Sequence, residues 1–286
     1  MLAVLGQPFD SNEHFFEFKW DGIRTEALLD SGGVRLMSRN GIDISDRYPE
    51  MEGLSALPRG LALDGELVAF KNGKPDFETV LRARSRKGSS SATFMVFDIL
   101  YKGYESLMDL TFSQRRDRLV SVVEKAKCPA MRLSEGVKSS GLSLYKRAGE
   151  QGLEGVVGKR LSSTYASGRR NGSWIKVKHR SRIQAVIIGF IEKGRDFQCL
   201  LVAANGIPSM PRDELRYVGR VGGGFNGAQR AHLNALLRKR VRSTPLVACG
   251  ERARWVQPDY YCTVSFADWT QAGMLRAPVF EGLIEE

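Results

Sequence analysis

HFFEFKWDGIR, residues 14–24, is the stretch on which the reading of this chain turns. An aromatic-rich apolar run ends on Lys19 and is followed at once by Asp21, Gly22 and Arg24. Such runs bounded by Asp and Gly read as strands, so Lys19 is expected where a strand gives way to a turn. A purely structural turn has little use for a lysine beside Trp20. Lysine is a nucleophile only when neutral, a form that proteins favour by burial or by neighbouring cations. Taken alone, Lys-x-Asp-Gly-x-Arg fits a hairpin with exposed charges about as well as a covalent site.

Working outward, TEALLD (25–30) and VRLMSR (34–39) read as the next strands in succession, with Asp-Ser-Gly-Gly at 30–33 as their hairpin turn. LALDGELVAF (61–70) and TFMVFDILY (93–101) are apolar enough to be central strands. SRKGSSSAT at 85–93 reads as a mobile loop. SQRRDRLVSVVEKA predicts a helix capped by Ser113, with Leu119, Val122 and Val123 at helical spacing. LSLYKRAGEQGL predicts a second helix that ends near Gly152. After WIKVKHR (174–180) the texture changes to closely spaced strands with glycine-rich turns: IQAVIIGFIEKG, FQCLLVAANG and LRYVGRVGGGF. One helix, NGAQRAHLNALLRKR, follows. Five strands and one helix fit a small barrel of the oligonucleotide-binding (OB) type. The predicted fold class is α+β: a domain over 1–180 with antiparallel sheets and flanking helices, then a barrel over 181–286, with the boundary at Ser181–Arg182.

Composition narrows the partners. Forty-three Lys and Arg against 32 Asp and Glu give a net charge of +11. The basic residues are spread along the chain, which favours a polyanion, nucleic acid before membrane. Cys128, Cys199, Cys249 and Cys262 form no Cys-x-x-Cys pair, so neither a zinc site nor a disulfide framework is expected. MLAVLGQPFDSNEHF has too short an apolar run for a signal peptide, and no stretch is long and apolar enough to span a bilayer. A cytoplasmic protein is expected. His14, His179 and His232 are scattered and carry no assigned role.

Further segments share the unusual texture of residues 14–24. Ser38-Arg39-Asn40-Gly41 is a basic turn after a strand, and Leu63-Asp64-Gly65-Glu66 sets acids in an apolar strand. Phe97-Asp98 sets an aromatic beside an acid, and EGVVGKR (154–160) opens a strand on Glu154. Trp174-Ile175-Lys176-Val177-Lys178 alternates, so Lys176 and Lys178 are expected to face one way and the bulky residues the other.

In this order and spacing, EFKWDGIR, SRNG, LDGELV, FDIL, EGVVGKR, WIKVK, YVGRVGGGF and LRAPVFEGL resemble the motifs of the covalent nucleotidyltransferases. The chain is most similar to ATP-dependent DNA ligases, especially the ligase module of bacterial non-homologous end joining, over nearly its whole length. The resemblance implies a nucleotidyltransferase (adenylation) domain joined to an OB-fold barrel. It implies nick sealing through a lysyl-AMP intermediate, using ATP and Mg²⁺ or Mn²⁺. It makes Lys19 the AMP-bearing nucleophile, with Lys176 and Lys178 on the α-phosphate. Glu154 and Asp21 would meet the metal, Phe97 would stack on adenine, and Arg24 and Glu66 would hold the ribose. Glu17 would lie at the adenine edge, Arg39 at the DNA 5′-phosphate and Arg276 opposite Lys19 at the pyrophosphate. Nicked duplex DNA is the implied substrate, Ku or repair polymerase proteins the implied partners, and a monomer the implied state.

The chain departs from the pattern at its end. Relatives usually continue after Gly-Leu with an arginine and then Asp-Lys, whereas Ile284-Glu285-Glu286 follows here. Either slow self-adenylation or substitution by other basic side chains is expected. Two alternatives stay open: an RNA ligase or other covalent nucleotidyltransferase, and a nucleic-acid-binding module with weak catalysis.

Overall fold

The computed structural model describes residues 1–82, 92–126, 128–194, 196–207, 214–270 and 272–284. The chain divides into two compact units, Met1–His179 and Arg180–Glu286. Ser181 and Arg182 already pair with Phe266 and Ser265 as the first residues of a long strand. Residues 85–91 of the loop at 85–93 lie outside the described residues, and Ala92 and Thr93 already belong to a strand.

In chain order the first unit contains β1 (Ser11–Phe18), β2 (Ile23–Asp30), β3 (Gly33–Ser38), β4 (Leu61–Lys71) and β5 (Ala92–Lys102). There follow α1 (Phe112–Ala126), β6 (Gly136–Ser139), α2 (Gly141–Glu150), β7 (Gly155–Arg160) and β8 (Trp174–Lys178). Antiparallel neighbours run β8-β7-β1-β6 in one sheet and β3-β2-β4-β5 in the other, and each sheet adds a short parallel strand, Val4–Leu5 beside β8 and Met131–Leu133 beside β5. The strand reading of 14–30 therefore holds, but β1 and β2 are not sheet neighbours. Between Lys19 and Gly22 the chain crosses from one sheet to the other. A side chain at Gly22 would collide with the Leu67 carbonyl oxygen of β4, which accounts for the glycine at this crossing.

Period-2 alternation sorts the faces. On β4, Leu61, Leu63 and Leu67 enter the core beneath α1, whose Leu119 and Val122 pack there. Asp64 and Glu66 have the opposite parity. On the other sheet, Phe16, Val156 and Val177 pack against Leu144 and Ala148 of α2. The two remaining faces meet through Ala62, Leu100, Tyr165 and Trp174. A cleft opens between the sheets beside that contact.

The cap of α1 differs from the sequence reading, because Ser113 lies inside the helix. Thr111 caps instead: its Oγ1 accepts from the Gln114 backbone N–H at 3.3 Å, and Gln114 Oε1 accepts from the Thr111 N–H at 3.0 Å. This reciprocal pair is a capping box.

The second unit is built on β9 (Ser181–Lys193), β10 (Asp196–Ala204), β11 (Arg216–Val221), α3 (Gly227–Arg238), β12 (Tyr261–Phe266) and β13 (Val279–Ile284). The strands pair in the order β11-β10-β9-β12-β13. Leu233 and Leu237 of α3 close the core, and Asn226 and Gln229 cap that helix reciprocally. These five strands and one helix are the OB-type unit.

Candidate active site

The cleft floor is a grid fixed by strand register. Across β1, β7 and β8 the pairings set Phe15, Lys159 and Trp174 in one row. Glu17, Val157 and Lys176 form the next row. Directly paired residues share a face, as do residues two apart, so both rows point the same way. Trp174 therefore shares the face of Lys176 and Lys178, contrary to the expectation that the bulky residues all turn away; only Ile175 and Val177 do.

Beyond the second row, the backbone N–H of Lys19 donates to the Gly155 carbonyl at 2.8 Å, and Gly155 pairs with Lys178. Gly155 has φ +144° and its missing side chain would strike the Val177 carbonyl, so no other residue fits there. Around it three charges converge. Lys19 Nζ donates to Glu154 Oε2 at 2.6 Å, and Lys178 Nζ lies 2.6 Å from Glu154 Oε1. Burial would raise the Glu154 carboxyl, but Lys19 and Lys178 hold it below the usual range. Burial lowers Lys176, helped by Lys178, Lys19 and Arg170.

The second sheet supplies the opposite wall. Arg24 and Glu66 pair across β2 and β4 and share a face. Glu66 is pushed up to about 7 by burial, against the pull of Lys19 and Arg24. Arg24 is held by Asp64 through two hydrogen bonds, 3.1 and 2.7 Å, and Asp64 also accepts from Tyr165 Oη at 2.8 Å. Phe97 enters the cleft because of a β-bulge. The register jumps from Asp64↔Asp98 to Gly65↔Val96 and leaves Phe97 as the extra residue. Bulges re-aim side chains in this way beside functional sites.

Glu17, Lys19, Arg24, Arg39, Glu66, Phe97 and Lys176 all line the cleft. Glu154 and Lys178 join it through Lys19. Arg39 is exposed on the turn after β3. Asp21 sits half-buried in the crossing turn and is not among the lining residues. Arg276 belongs to the second unit, paired across from Asp268. Sequence reasoning gave no role to Asp64, Lys159, Arg170 or Trp174. Of these, Lys159, Arg170 and Trp174 line the cleft directly. The available signal was parity: Lys159 lies two positions beyond Val157, and Trp174 two before Lys176. Among the described residues no cluster of three or more His, Cys, Asp or Glu side chains could cage a metal.

Residues 4–178 match the family profile described as ATP dependent DNA ligase domain, and residues 193–286 match the ATP dependent DNA ligase C terminal region. The chain belongs to the ATP-dependent DNA ligase family. It is 36% identical to the multifunctional non-homologous end joining protein LigD of Pseudomonas aeruginosa, over 100% of this chain and 35% of that protein. The chain thus spans about a third of the length of that relative. The solved ligase domain of Mycobacterium tuberculosis LigD is 29% identical with TM-score 0.59, covering 99% of this chain and 94% of that one. A structure of the Lig E DNA ligases shares the fold at 21% identity and TM-score 0.66, covering 99% and 98%. Membership in this ligase family implies ATP use, and the α+β adenylation unit followed by an OB-fold agrees with the sequence reading. No helix among the described residues is long and apolar enough to cross a membrane.

Proposed function

We propose that this chain seals 5′-phosphate/3′-hydroxyl nicks in duplex DNA, in end-joining repair, by carrying AMP on Lys19. The observation that supports this most is the meeting of Lys19, Glu154 and Lys178 beside a cleft lined by Phe97, Glu17 and Arg24.

In the first step the neutral Lys19 Nζ attacks the α-phosphorus of ATP. A P–N bond forms as the nitrogen gives up a proton to solvent, the bond to the β-phosphate oxygen breaks, and pyrophosphate leaves. Lys176 and Lys178 lie on the face where negative charge grows and offset it there. Phe97 stacks on the adenine, Glu17 meets its edge, and Arg24 and Glu66 hold the ribose. In the second step an oxygen of the nick's 5′-phosphate, gripped by Arg39, attacks the same phosphorus. The P–N bond breaks and Lys19 recovers its proton. Finally the 3′-hydroxyl attacks the 5′-phosphorus and AMP departs.

Glu154, with Asp21 and substrate phosphate oxygens, would hold a Mg²⁺ or Mn²⁺ ion, since Mg²⁺ needs few protein carboxylates when phosphates share its shell. Such an ion supplies Lewis-acid neutralisation of phosphate charge.

Residues 1–180 then act as the adenylation domain and 181–286 as the OB domain. The hinge between them is read near Ser181–Arg182, where β9 begins, one residue beyond the division of the compact units at His179–Arg180. His179 Nε2 lies 2.7 Å from the Tyr145 carbonyl oxygen in the first unit, and Arg180 Nε donates to Ser265 Oγ at 3.2 Å in the second. A monomer working on nucleoid DNA, with Ku or a repair polymerase as partner, completes the reading. Sealing of a labelled nicked duplex tests it: product should form with ATP and a divalent cation and fail with NAD or GTP. Sealing of an RNA nick in preference to DNA would overturn the choice of substrate.

A further inference from the structure

Lys159 sits where water scarcely reaches, and burial pulls its ammonium below the usual lysine range against Glu17 and Asp98. The side chain is 2% exposed, and Nζ donates to Glu17 Oε2 at 3.0 Å and to the Phe97 carbonyl oxygen at 3.1 Å. The ammonium also lies 4.4 Å from the Phe97 ring centroid and 4.5 Å from that of Trp174. One cation thus ties the carboxylate on the cleft floor to the backbone of the aromatic that the bulge turns inward. A buried ion pair is a weak source of stability, because apolar side chains of equal volume do as well or better. Its presence on the floor of a cleft points to a specifying role.

We propose that Lys159 is the positioning residue for base selection: it holds Glu17 as an oriented carboxylate that accepts from the exocyclic amine of adenine and rejects guanine. The proposal rests on the cleft being the ATP site. Adenine presents a donor at its sixth ring position, whereas guanine presents a carbonyl oxygen there. An ionised carboxylate only accepts, so it pairs with the first and repels the second. A protonated carboxyl could donate to guanine, and discrimination would fade. Burial pushes Glu17 toward that protonated form, and Lys159 is the strongest counterweight, ahead of Arg116. Arg116 is the weaker partner: it reaches Glu17 Oε1 only at 3.4 Å and donates to the Ser134 carbonyl oxygen at 2.7 Å. The Phe97 bond fixes where the carboxylate stands relative to the stacking ring.

The test compares Lys159→Met and Lys159→Arg in the full chain. Equilibrium binding of ATP and of GTP is measured in a Lys19→Ala background, so that no covalent step intervenes. Self-nucleotidylation by each nucleotide is followed with Lys19 intact. In Lys159→Met the preference for ATP over GTP should fall by about tenfold or more, the scale of one charge-assisted hydrogen bond. The change should appear in KM far more than in kcat, and Lys159→Arg should restore much of it. A folded Lys159→Met protein with the wild-type ratio would overturn the proposal. If that variant does not fold, Glu17→Gln provides the same readout, and an unchanged ratio there is equally fatal. A wild-type protein that binds neither nucleotide would instead remove the ATP-site reading itself.

Discussion

Lys19 and Glu154 stand 135 positions apart in the chain and meet through a hydrogen bond of 2.6 Å from Nζ to Oε2. The other Glu154 oxygen lies 2.6 Å from Lys178, so one carboxylate spaces two lysines. Removing it takes away the carboxylate that fixes both lysines in place. Glu154→Ala should slow self-adenylation by about 100-fold, the usual cost of one preorganised electrostatic group. Glu154→Gln should recover little, because shape without charge does not hold the lysines. Single-turnover adenylation across a Mg²⁺ titration measures this, and wild-type rates in both variants would make Glu154 a packing residue.

Glu66 gives a pH signature. Its folded carboxyl titrates at about 7 against 4.5 in the unfolded chain. The folded state therefore holds the extra proton between those values. Stability contributed by this group is present below 4.5 and is lost as pH rises through about 7. Glu66→Gln should match the wild type near pH 4.5 and exceed it by about 3 kcal/mol at pH 8, the order set by a shift of this kind. Denaturant unfolding at both pH values checks the sign. A variant that loses relative stability as pH rises would contradict it.

Arg39 is exposed and lines the cleft, and it is the residue proposed to grip the nick's 5′-phosphate. Arg39→Ala should leave Lys19 adenylation within about twofold and lower nick sealing by about tenfold or more, the cost of a charge-assisted phosphate contact. Equal losses in both reactions would place Arg39 on ATP instead.

Arg276 belongs to the OB unit, and the family resemblance proposes it for the pyrophosphate. Arg276→Ala should depress self-adenylation much more than sealing of a nick already carrying 5′-AMP. DNA affinity itself should fall steeply with salt, with a log–log slope of about several units from counterion release. Rate measurements on both substrates, with binding titrated over a salt series, separate these effects. Equal losses in the two reactions would leave Arg276 a general DNA contact or a packing residue.

Much of the cleft was legible because its residues announce themselves locally. A lysine ending an aromatic strand, acids at 64 and 66 in an apolar run, and lysines two apart at 176 and 178 all break the patterns around them. What stayed hidden depends on pairing between distant segments. That β1 and β2 belong to different sheets is not written in either strand, since both have the same strand chemistry. The partner of Arg24 is Asp64, and that of Glu17 is Lys159, both set by sheet geometry rather than by spacing. Phe97 points inward because of a register jump between β4 and β5 that neither strand shows alone. The facing of Trp174 was legible by parity, but its bulk suggested burial with Ile175 and Val177. Thr111 caps α1 because Gln114 reaches back to it, a reciprocal bond that the serine at 113 obscured.

Whether AMP becomes bonded to Lys19 tests the proposed function most directly. The protein is incubated with ATP and Mg²⁺, and its intact mass and peptide masses are measured. The wild type should gain one AMP, located on the peptide containing Lys19, and release it when pyrophosphate is added. Lys19→Ala should gain none. An adduct of equal yield in Lys19→Ala, or one mapped to another lysine, would contradict the account.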